Sequence, residues 1–408
     1  MRKLAVCVPN YNRAEKLDRL LKMTAGQIDQ YGLNDEVEVC VSDDCSTENI
    51  PTIVEGIRVQ HPKLSLKFHI NESNMGMDHN FLSSVLMSDA EYCWIVGNDD
   101  EPAHDGVKCV LEHLYGGENI DILVCPFDIY DENGNVINTI YPLKQEKSEC
   151  LSFHTADAKE YSRLIGKVNN GNALFCFLSN VVFKRNTWIR HGDMFQDKMQ
   201  SIFIQMYMNL QTLKEGAVYK YVPDKFVKNY TDDETNADLK REYDVLVGLS
   251  DVVDYFFTGE IHRKLQKCMV DERINGRMWN LSDDSAEKQR IMQIDSPKNA
   301  LYRKYFITSD RRQTFFERKN ILVYGAGNFG KKALMELRNY NTDSIMVFDA
   351  DEGKWGKMLE GTMIYPVKDL VPIYHSKKCV AVVANNRSLV EIIEMLCMDG
   401  IDEIAIIT

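Results

Sequence analysis

Apolar residues run in short unbroken blocks through the first part of the chain: Leu4 to Val8, Val37 to Val41, Leu64 to Ile70, Tyr92 to Val96 and Ile122 to Cys125. Blocks of this length, bounded by polar and turn residues, predict strands. Between several of them, Ala14 to Gln30 and Met77 to Met87 space their apolar residues at the helical period. Strands alternating with such stretches predict βαβ units and a mainly parallel sheet. Near-continuous apolarity in the first, second and fourth blocks predicts strands covered on both faces.

Two other patterns follow. In "REYDVLVGLSDVVDYFFTGEIHRKLQKCMV" aliphatic and aromatic residues recur at helical spacing and glycine is sparse. This predicts a helical connector over 241–316. Acidic residues interrupt its apolar face and no basic face flanks it, so it is expected to pack on a neighbouring domain rather than on a membrane. Near Asn320 the pattern changes again: "ILVY" predicts a strand, "GAGNFG" a glycine turn and "KKALMELRN" a helix. "SIMVFDAD", "CVAVVAN" and "DEIAII" predict three more strands. The expected architecture is α/β, with an N-terminal parallel-sheet domain over 1–240, the connector, and a Rossmann-like domain over 317–408.

The length of 408 residues exceeds one ordinary core, in keeping with this division. A composition of 44% hydrophobic and 27% charged residues is that of a globular protein able to bury large cores. The formal net charge of −13 argues against a general nucleic-acid binder, since phosphate backbones require a basic face. The 11 cysteines are scattered singly without a C-x-x-C pair, and Cys7, Cys40, Cys93 and Cys125 fall inside apolar blocks. That usage predicts reduced thiols in a cytosolic core rather than a disulfide framework. No apolar run reaches the roughly 18 residues of a membrane-spanning helix, and the N-terminus enters a motif without a signal peptide's apolar region. The expected location is cytoplasmic, with peripheral membrane contact left open.

Candidate chemistry gathers at strand ends, where an open α/β sheet places ligand contacts. The first strand ends in Pro9-Asn10-Tyr11-Asn12-Arg13, the second in Ser42-Asp43-Asp44-Cys45-Ser46-Thr47. The third runs into Asn71-Glu72-Ser73-Asn74-Met75-Gly76, and the fourth ends in Gly97-Asn98-Asp99-Asp100-Glu101-Pro102. Each acidic pair repels itself unless a cation or hydrogen-bond donors compensate. Carboxylates that share a divalent cation with substrate phosphates are the usual arrangement for Mg2+ or Mn2+. Such a metal stabilises charge on a departing diphosphate. The first pair has an alternative use as acceptor for a base or ribose. Singly, Asn12 or Ser46 reads equally well as a helix N-cap, and Asp43-Asp44 as turn residues. Four such turns together are not explained by folding alone. Tyr92 and Trp94 are expected in the core, and His79 and His104 as surface or packing residues.

In this order and spacing, "CVPNYNR", "VSDDCST", "NMGMDHN" and "VGNDDEP" resemble family 2 glycosyltransferases of the GT-A fold, in the subgroup of abequosyltransferase-like enzymes of bacterial surface-polysaccharide synthesis. The resemblance implies transfer of a sugar from a nucleotide-diphosphate-sugar donor to a hydroxyl of a growing, lipid-linked glycan. It implies that Pro9, Tyr11 and Arg13 line the nucleotide pocket with Asn74 and Gly76, and that Asp43 or Asp44 holds the uracil or ribose. Gly97-Asn98-Asp99-Asp100 then stands where the family carries its Asp-X-Asp motif, with Asp100 on Mg2+ or Mn2+ and Asp99 beside it. Asn98 replaces the first acidic residue of the commonest form. Inversion at the anomeric carbon, the family's usual outcome, requires a carboxylate to take the acceptor's proton. Asp193 and Asp197, before an apolar helix, are the candidates; Asp232 and Asp233, in a polar loop, compete with them. The rival reading is a catalytically inactive regulatory or scaffold protein that binds a nucleotide or sugar nucleotide, with the C-terminal domain as the sensor.

At the C-terminal end, Gly325, Gly327 and Gly330 have the G-x-G-x-x-G spacing after a strand and at the start of a helix. Such glycines permit a tight turn and close approach to a phosphate that the helix N-terminus attracts. Asp349 and Asp351 follow the second strand, where a Rossmann domain places its ribose-binding acid. A bound nucleotide is therefore one expectation. A scaffold kept for homodimerisation or docking is the other. An NAD-dependent oxidoreductase ranks behind both, because no large substrate domain follows; the Tyr374/Lys378 spacing is read as coincidence. The module also resembles Rossmann-like N-terminal portions of some nucleotide-sugar acyltransferases.

Overall fold

The computed structural model describes residues 1–131, 133–144, 147–153, 158–169, 175–230, 239–271, 274, 285–385 and 388–407. Two compact units divide the chain: Met1–Asp238 with Asp251–Ile261, and Leu239–Ser250 with His262–Thr408.

The first unit opens with β1 (Leu4–Asn10), α1 (Ala14–Gln30), β2 (Val37–Asp43), α2 (Ile50–Gln60), β3 (Ser65–Ile70), α3 (Met77–Leu86) and β4 (Tyr92–Ile95). These follow the predicted elements closely, and each has a local cause. Leu17, Leu20, Leu21, Ala25 and Ile28 put one apolar stripe of α1 into the core. Asn49 caps α2, its side chain accepting from Thr52 N at 3.4 Å. All residues of β1, β2 and β4 are buried, as expected of strands covered on both faces, whereas β3 at the sheet edge is mostly half-exposed.

After β4 come β5 (Glu101–Pro102), α4 (Gly106–Leu114), β6 (Ile122–Val124), β7 (Phe127–Tyr130), β8 (Val136–Ile140), β9 (Glu149–Phe153), β10 (Val181–Lys184), β11 (Ala217–Tyr221) and β12 (Val227–Tyr230). The main sheet has the order β3-β2-β1-β4-β10-β6-β11-β9, and a small sheet has the order β5-β12-β7-β8. From β1 the chain steps outward to β2 and β3, then returns to place β4 on the other side of β1. The crevice at the carboxyl ends of β1 and β4 is thus a topological switch point, where open α/β sheets bind ligands.

The second unit holds β13 (Asn320–Tyr324), β14 (Ser344–Asp349), β15 (Met358–Leu359), β16 (Thr362–Pro366), β17 (Cys379–Val383) and β18 (Ile404–Ala405) in the order β15-β16-β14-β13-β17-β18. Four of these strands match the sequence expectation; β15 and β16 do not. Their two-residue connection, Glu360-Gly361, has φ of 46° and 78°, the left-handed pair of a tight hairpin. Glutamate at the first position hides that turn from sequence reasoning, which keys on Asn-Gly or Asp-Gly. Residues 262–316, expected as part of a connector, belong to this unit. Ile307 N donates to Ile406 O at 3.1 Å, and Ile307 and Phe316 join the apolar cluster of Ile321, Val323, Val347 and Val380. Among the described residues, no helix is long and apolar enough to cross a membrane.

Candidate active site

The turn after β1 is built on strained backbone. Asn12 and Arg13 both have left-handed φ, 53° and 60°, and Cys45 in the turn after β2 has φ 61°. A non-glycine residue in this region costs about 1–2 kcal/mol, so the two turns must be held by other contacts. Ser46 Oγ accepts from Asn12 N at 2.6 Å, and Asn12 Oδ1 accepts from Thr47 N at 3.0 Å. Glu48 caps α1 across the gap, accepting from Ala14 N. Neither Asn12 nor Ser46 is therefore a helix N-cap; each locks one turn to the other.

Asp43 and Asp44 are both buried, and each shapes a different loop. Asp43 accepts from Asn10 Nδ2 at 2.7 Å, Ser46 Oγ at 2.5 Å and Ser46 N at 3.0 Å. Asp44 accepts from Asn71 Nδ2 at 2.8 Å, Met75 N at 2.9 Å and Gly76 N at 2.9 Å. An ionised carboxylate has about four lone-pair sites, so three on each are committed to the protein. Asn74, exposed, accepts from Gly76 N at 3.0 Å, and Gly76 at φ 90° starts α3. Pro9 lies buried within β1, in register with Ser42, whereas Tyr11 is 46% exposed just beyond the strand.

The turn after β4 meets these groups at the switch point. Arg13 Nη1 donates to Asp99 Oδ2 at 2.6 Å and to Asn98 Oδ1 at 3.4 Å, while Asn98 Nδ2 donates to Asn10 Oδ1 at 2.8 Å. Asp100 is buried; its carboxyl accepts from Ser179 Oγ at 2.5 Å and from Asn229 Nδ2 at 2.8 Å. Burial, then the neighbouring Asp99 charge, pushes Asp100 up to about 8. Gly97 is glycine for a reason: a Cβ there would meet Asp99 Oδ1 at 2.9 Å and Asp100 Oδ2 at 3.1 Å. Ser179 in turn accepts from Gly97 N at 2.9 Å, and its carbonyl accepts from Trp94 Nε1 at 2.7 Å. Trp94 and Tyr92 are core residues, as expected, but Trp94 also fixes the residue that orients Asp100.

Asp193 and Asp197 sit exposed on a 3-10 turn, Asp193–Lys198, with Asp197 paired to Lys198 at 3.0 Å. Asp232 and Asp233 lie outside the described residues. Beyond the turn, Ile202 has φ 60°, an outlier for a β-branched residue. Asp78 in the first turn of α3 holds it, accepting from Ile202 N at 2.8 Å and Ile204 N at 3.5 Å. Burial pushes Asp78 up to about 6 against these hydrogen bonds. Sequence reasoning missed Asp78, Ser179 and Asn229. Asp78 stood inside a quoted motif, "NMGMDHN", but the other two carry no local signal.

In the second unit the glycines divide by role. Gly325 has φ 112°, and a Cβ on Gly330 would lie 1.9 Å from Gly325 O, so both are fixed by backbone packing. A Cβ on Gly327 meets nothing within 4 Å. Asp349 accepts from Ala326 N at 2.6 Å and Asp351 N at 2.8 Å and pairs with Lys354 at 3.1 Å. These donors hold its carboxyl below the usual range despite burial, which acts the other way. It thus ties the glycine loop to the end of β14.

Residues 5–196 match the family model described as glycosyl transferase family 2. The match covers just under half of the chain and falls within the first unit. The chain is similar to the abequosyltransferase RfbV of Salmonella typhimurium, 26% identical over 189 residues, or 45% of this chain and 54% of that protein. The processive diacylglycerol beta-glycosyltransferase of Mycoplasma pneumoniae is 26% identical over 151 residues, 37% of this chain and 39% of that one. The chain thus spans about half or less of the curated relatives it matches. Among solved structures, S. aureus TarS 1-349 superposes with a TM-score of 0.52 at 17% identity, covering 74% of this chain and 80% of that one. The likeness is one of fold, of the GT-A type. Residues 316–408 match a model described as a CoA binding domain.

Proposed function

We propose that the chain is an inverting glycosyltransferase that moves a sugar from a nucleotide-diphosphate-sugar donor to an acceptor hydroxyl of a bacterial surface polysaccharide. The observation that carries this reading is the convergence of Arg13, Asn98, Asp99 and Asp100 at the switch point between β1 and β4. Tyr11 offers an exposed ring for a nucleobase. The acceptor capacity left on Asp43 suits a base N–H or ribose hydroxyl. The donors at Asp99 and Asp100 are all carboxylate oxygens, which fits Mg2+ or Mn2+. Bound there, the cation would supply Lewis-acid stabilisation of the leaving diphosphate. Arg13, from the turn after β1, contributes a positive charge fixed beside Asp99, and Ser179 with Asn229 hold the Asp100 carboxyl in one orientation, so little reorganises during reaction. The acceptor oxygen forms the new bond at the anomeric carbon, its proton passes to a carboxylate, and the nucleoside diphosphate leaves. Asp193 and Asp197 are the proposed carboxylates. The C-terminal domain is proposed to bind a nucleotide-containing ligand at the Gly327 turn.

A thermal-shift panel of UDP-, GDP-, CDP- and dTDP-sugars, CoA and NAD, with manganese and with a chelator, tests this. Manganese-dependent stabilisation by one nucleotide-sugar class is the expected result. Stabilisation by none of them removes the proposal. A second reading, a sugar-nucleotide sensor, draws on one observation: Arg13 already neutralises Asp99, and Asp100 is held by two donors. It predicts binding unaffected by the chelator and no release of nucleoside diphosphate.

A further inference from the structure

Away from the switch point, three residues of different ligand type meet on the first unit. Cys109 and His113 stand one turn apart on α4, so their side chains share a face. Asp224 comes from the turn between β11 and β12, and His113 Nε2 lies 3.1 Å from its Oδ2. One sulfur, one nitrogen and one oxygen donor from the three all lie within 4.8 Å of one another.

The scaffold brings the two segments together. Ala103 N donates to Phe226 O at 2.9 Å, and a Cβ on Gly106 would lie 2.3 Å from the same oxygen. The start of α4 is therefore pressed against the turn that carries Asp224. His113 belongs to the last turn of α4, where the helix dipole favours a positive charge.

We propose that Cys109, His113 and Asp224 form a transition-metal site of the zinc class, distinct from the Asp99–Asp100 pair, that clamps the β11–β12 turn onto α4. Thiolate, imidazole and carboxylate are the ligands zinc takes, and three protein ligands with one outer position is a common set. Zinc–ligand bonds of about 2.0–2.3 Å in a tetrahedron put donors about 3.3–3.6 Å apart. The three donors need to close by only about 1 Å to reach that geometry. A bare His–acid ion pair would not require a sulfur beside it, and the mixed S, N, O set excludes Mg2+ or Ca2+ as the preferred ion. Burial holds Cys109 as a neutral thiol, pushed up to about 12. Metal uptake forms the metal–sulfur bond and releases that proton to solvent. The clamp also reaches the switch point, because β12 carries Asn229, which donates to Asp100 at 2.8 Å.

Cobalt is the probe, added to the full, reduced chain. One equivalent is expected to give a thiolate-to-cobalt charge-transfer band in the near ultraviolet, displaced by zinc and accompanied by release of one proton. Cys109→Ser should abolish the band. Asp224→Asn, a surface change that keeps side-chain size, should weaken cobalt binding at least about tenfold. Asp100→Ala should leave the band intact, which separates this site from the proposed catalytic one. Absence of the band from wild-type chain with native circular dichroism overturns the proposal. So does a band that persists at equal strength in Cys109→Ser.

Discussion

The switch-point turns and the C-terminal glycine loop solve similar problems with different parts. Both lie at the carboxyl ends of parallel strands, and both carry an acid after the second strand of their sheet. In the glycine loop, one contiguous stretch supplies the turn, and its strain falls on glycine at 325. At the switch point, strain falls on Asn12, Arg13 and Cys45, and side chains from distant segments hold it. Asp349, at the end of β14, accepts from Ala326 N and so ties the glycine loop to the neighbouring strand, as Asp43 and Asp44 tie segments that are remote in sequence; what differs is where the strain falls. Backbone solutions leave a readable spacing in one stretch of sequence; side-chain solutions scatter their parts.

The largest effect is expected where side chains do the most. Asp100→Asn keeps the shape and the room for Ser179 and Asn229, so the fold should survive. Sugar transfer should fall by about 10²–10³-fold, the loss seen when one preorganised electrostatic group is removed from a reaction centre. Steady-state release of nucleoside diphosphate reads this directly. Unchanged turnover would make the switch point a binding site and leave the two regions alike.

The same contrast explains what was legible in the sequence. Strands β1, β2 and β4 announce themselves because both faces are apolar, and the acids behind them follow at once. Gly325, Gly327 and Gly330 are legible from spacing alone. Ser179 and Asn229 are not, because their roles exist only when β10 and β12 bring them to Asp100 from 79 and 129 residues away. Pro9 illustrates the opposite failure: it sits in the motif, yet pairing with β2 buries it. Asp44 reads as a ligand group from its neighbour's company, but geometry commits it to the Asn71–Gly76 loop.

Next in size is Gly330→Ala. Its Cβ would sit 1.9 Å from Gly325 O, and main chain rather than a flexible side chain must move. A loss of about 3 kcal/mol is expected in chemical denaturation of the second unit, with nucleotide-sugar binding at the switch point retained. Loss of that binding as well would break the separation between the regions.

Asp78 gives a smaller, pH-dependent effect. Its folded-state value is raised from 3.8 to about 6 by burial. Between those values the folded chain binds more protons than the unfolded one, so this group's contribution to stability falls as pH rises from 4 to 6. Asp78→Asn has no such titration. The stability of wild type minus that of the variant should therefore decline by about 2 kcal/mol between pH 4 and pH 7. A difference that stays flat, measured by urea unfolding at each pH, would mean that the carboxylate holding Ile202 is not desolvated.

Gly327→Ala should change stability least and is the sharpest test of the comparison. Gly327 has φ −95°, which alanine adopts, and the added methyl meets nothing within 4 Å. Stability should stay within about 0.5 kcal/mol of wild type. The reason for glycine here is then external to the fold: it lies at the N-terminus of the helix Asn328–Leu337, where backbone N–H groups attract phosphate. If the domain binds a nucleotide-containing ligand, the methyl occupies the space a pyrophosphate needs, and affinity for CoA or a dinucleotide should drop while the melting temperature holds. Wild type and variant that bind these ligands equally, or not at all, leave Gly327 unexplained by recognition. The C-terminal loop would then be a scaffold turn, and the switch point the one nucleotide site proposed for the chain.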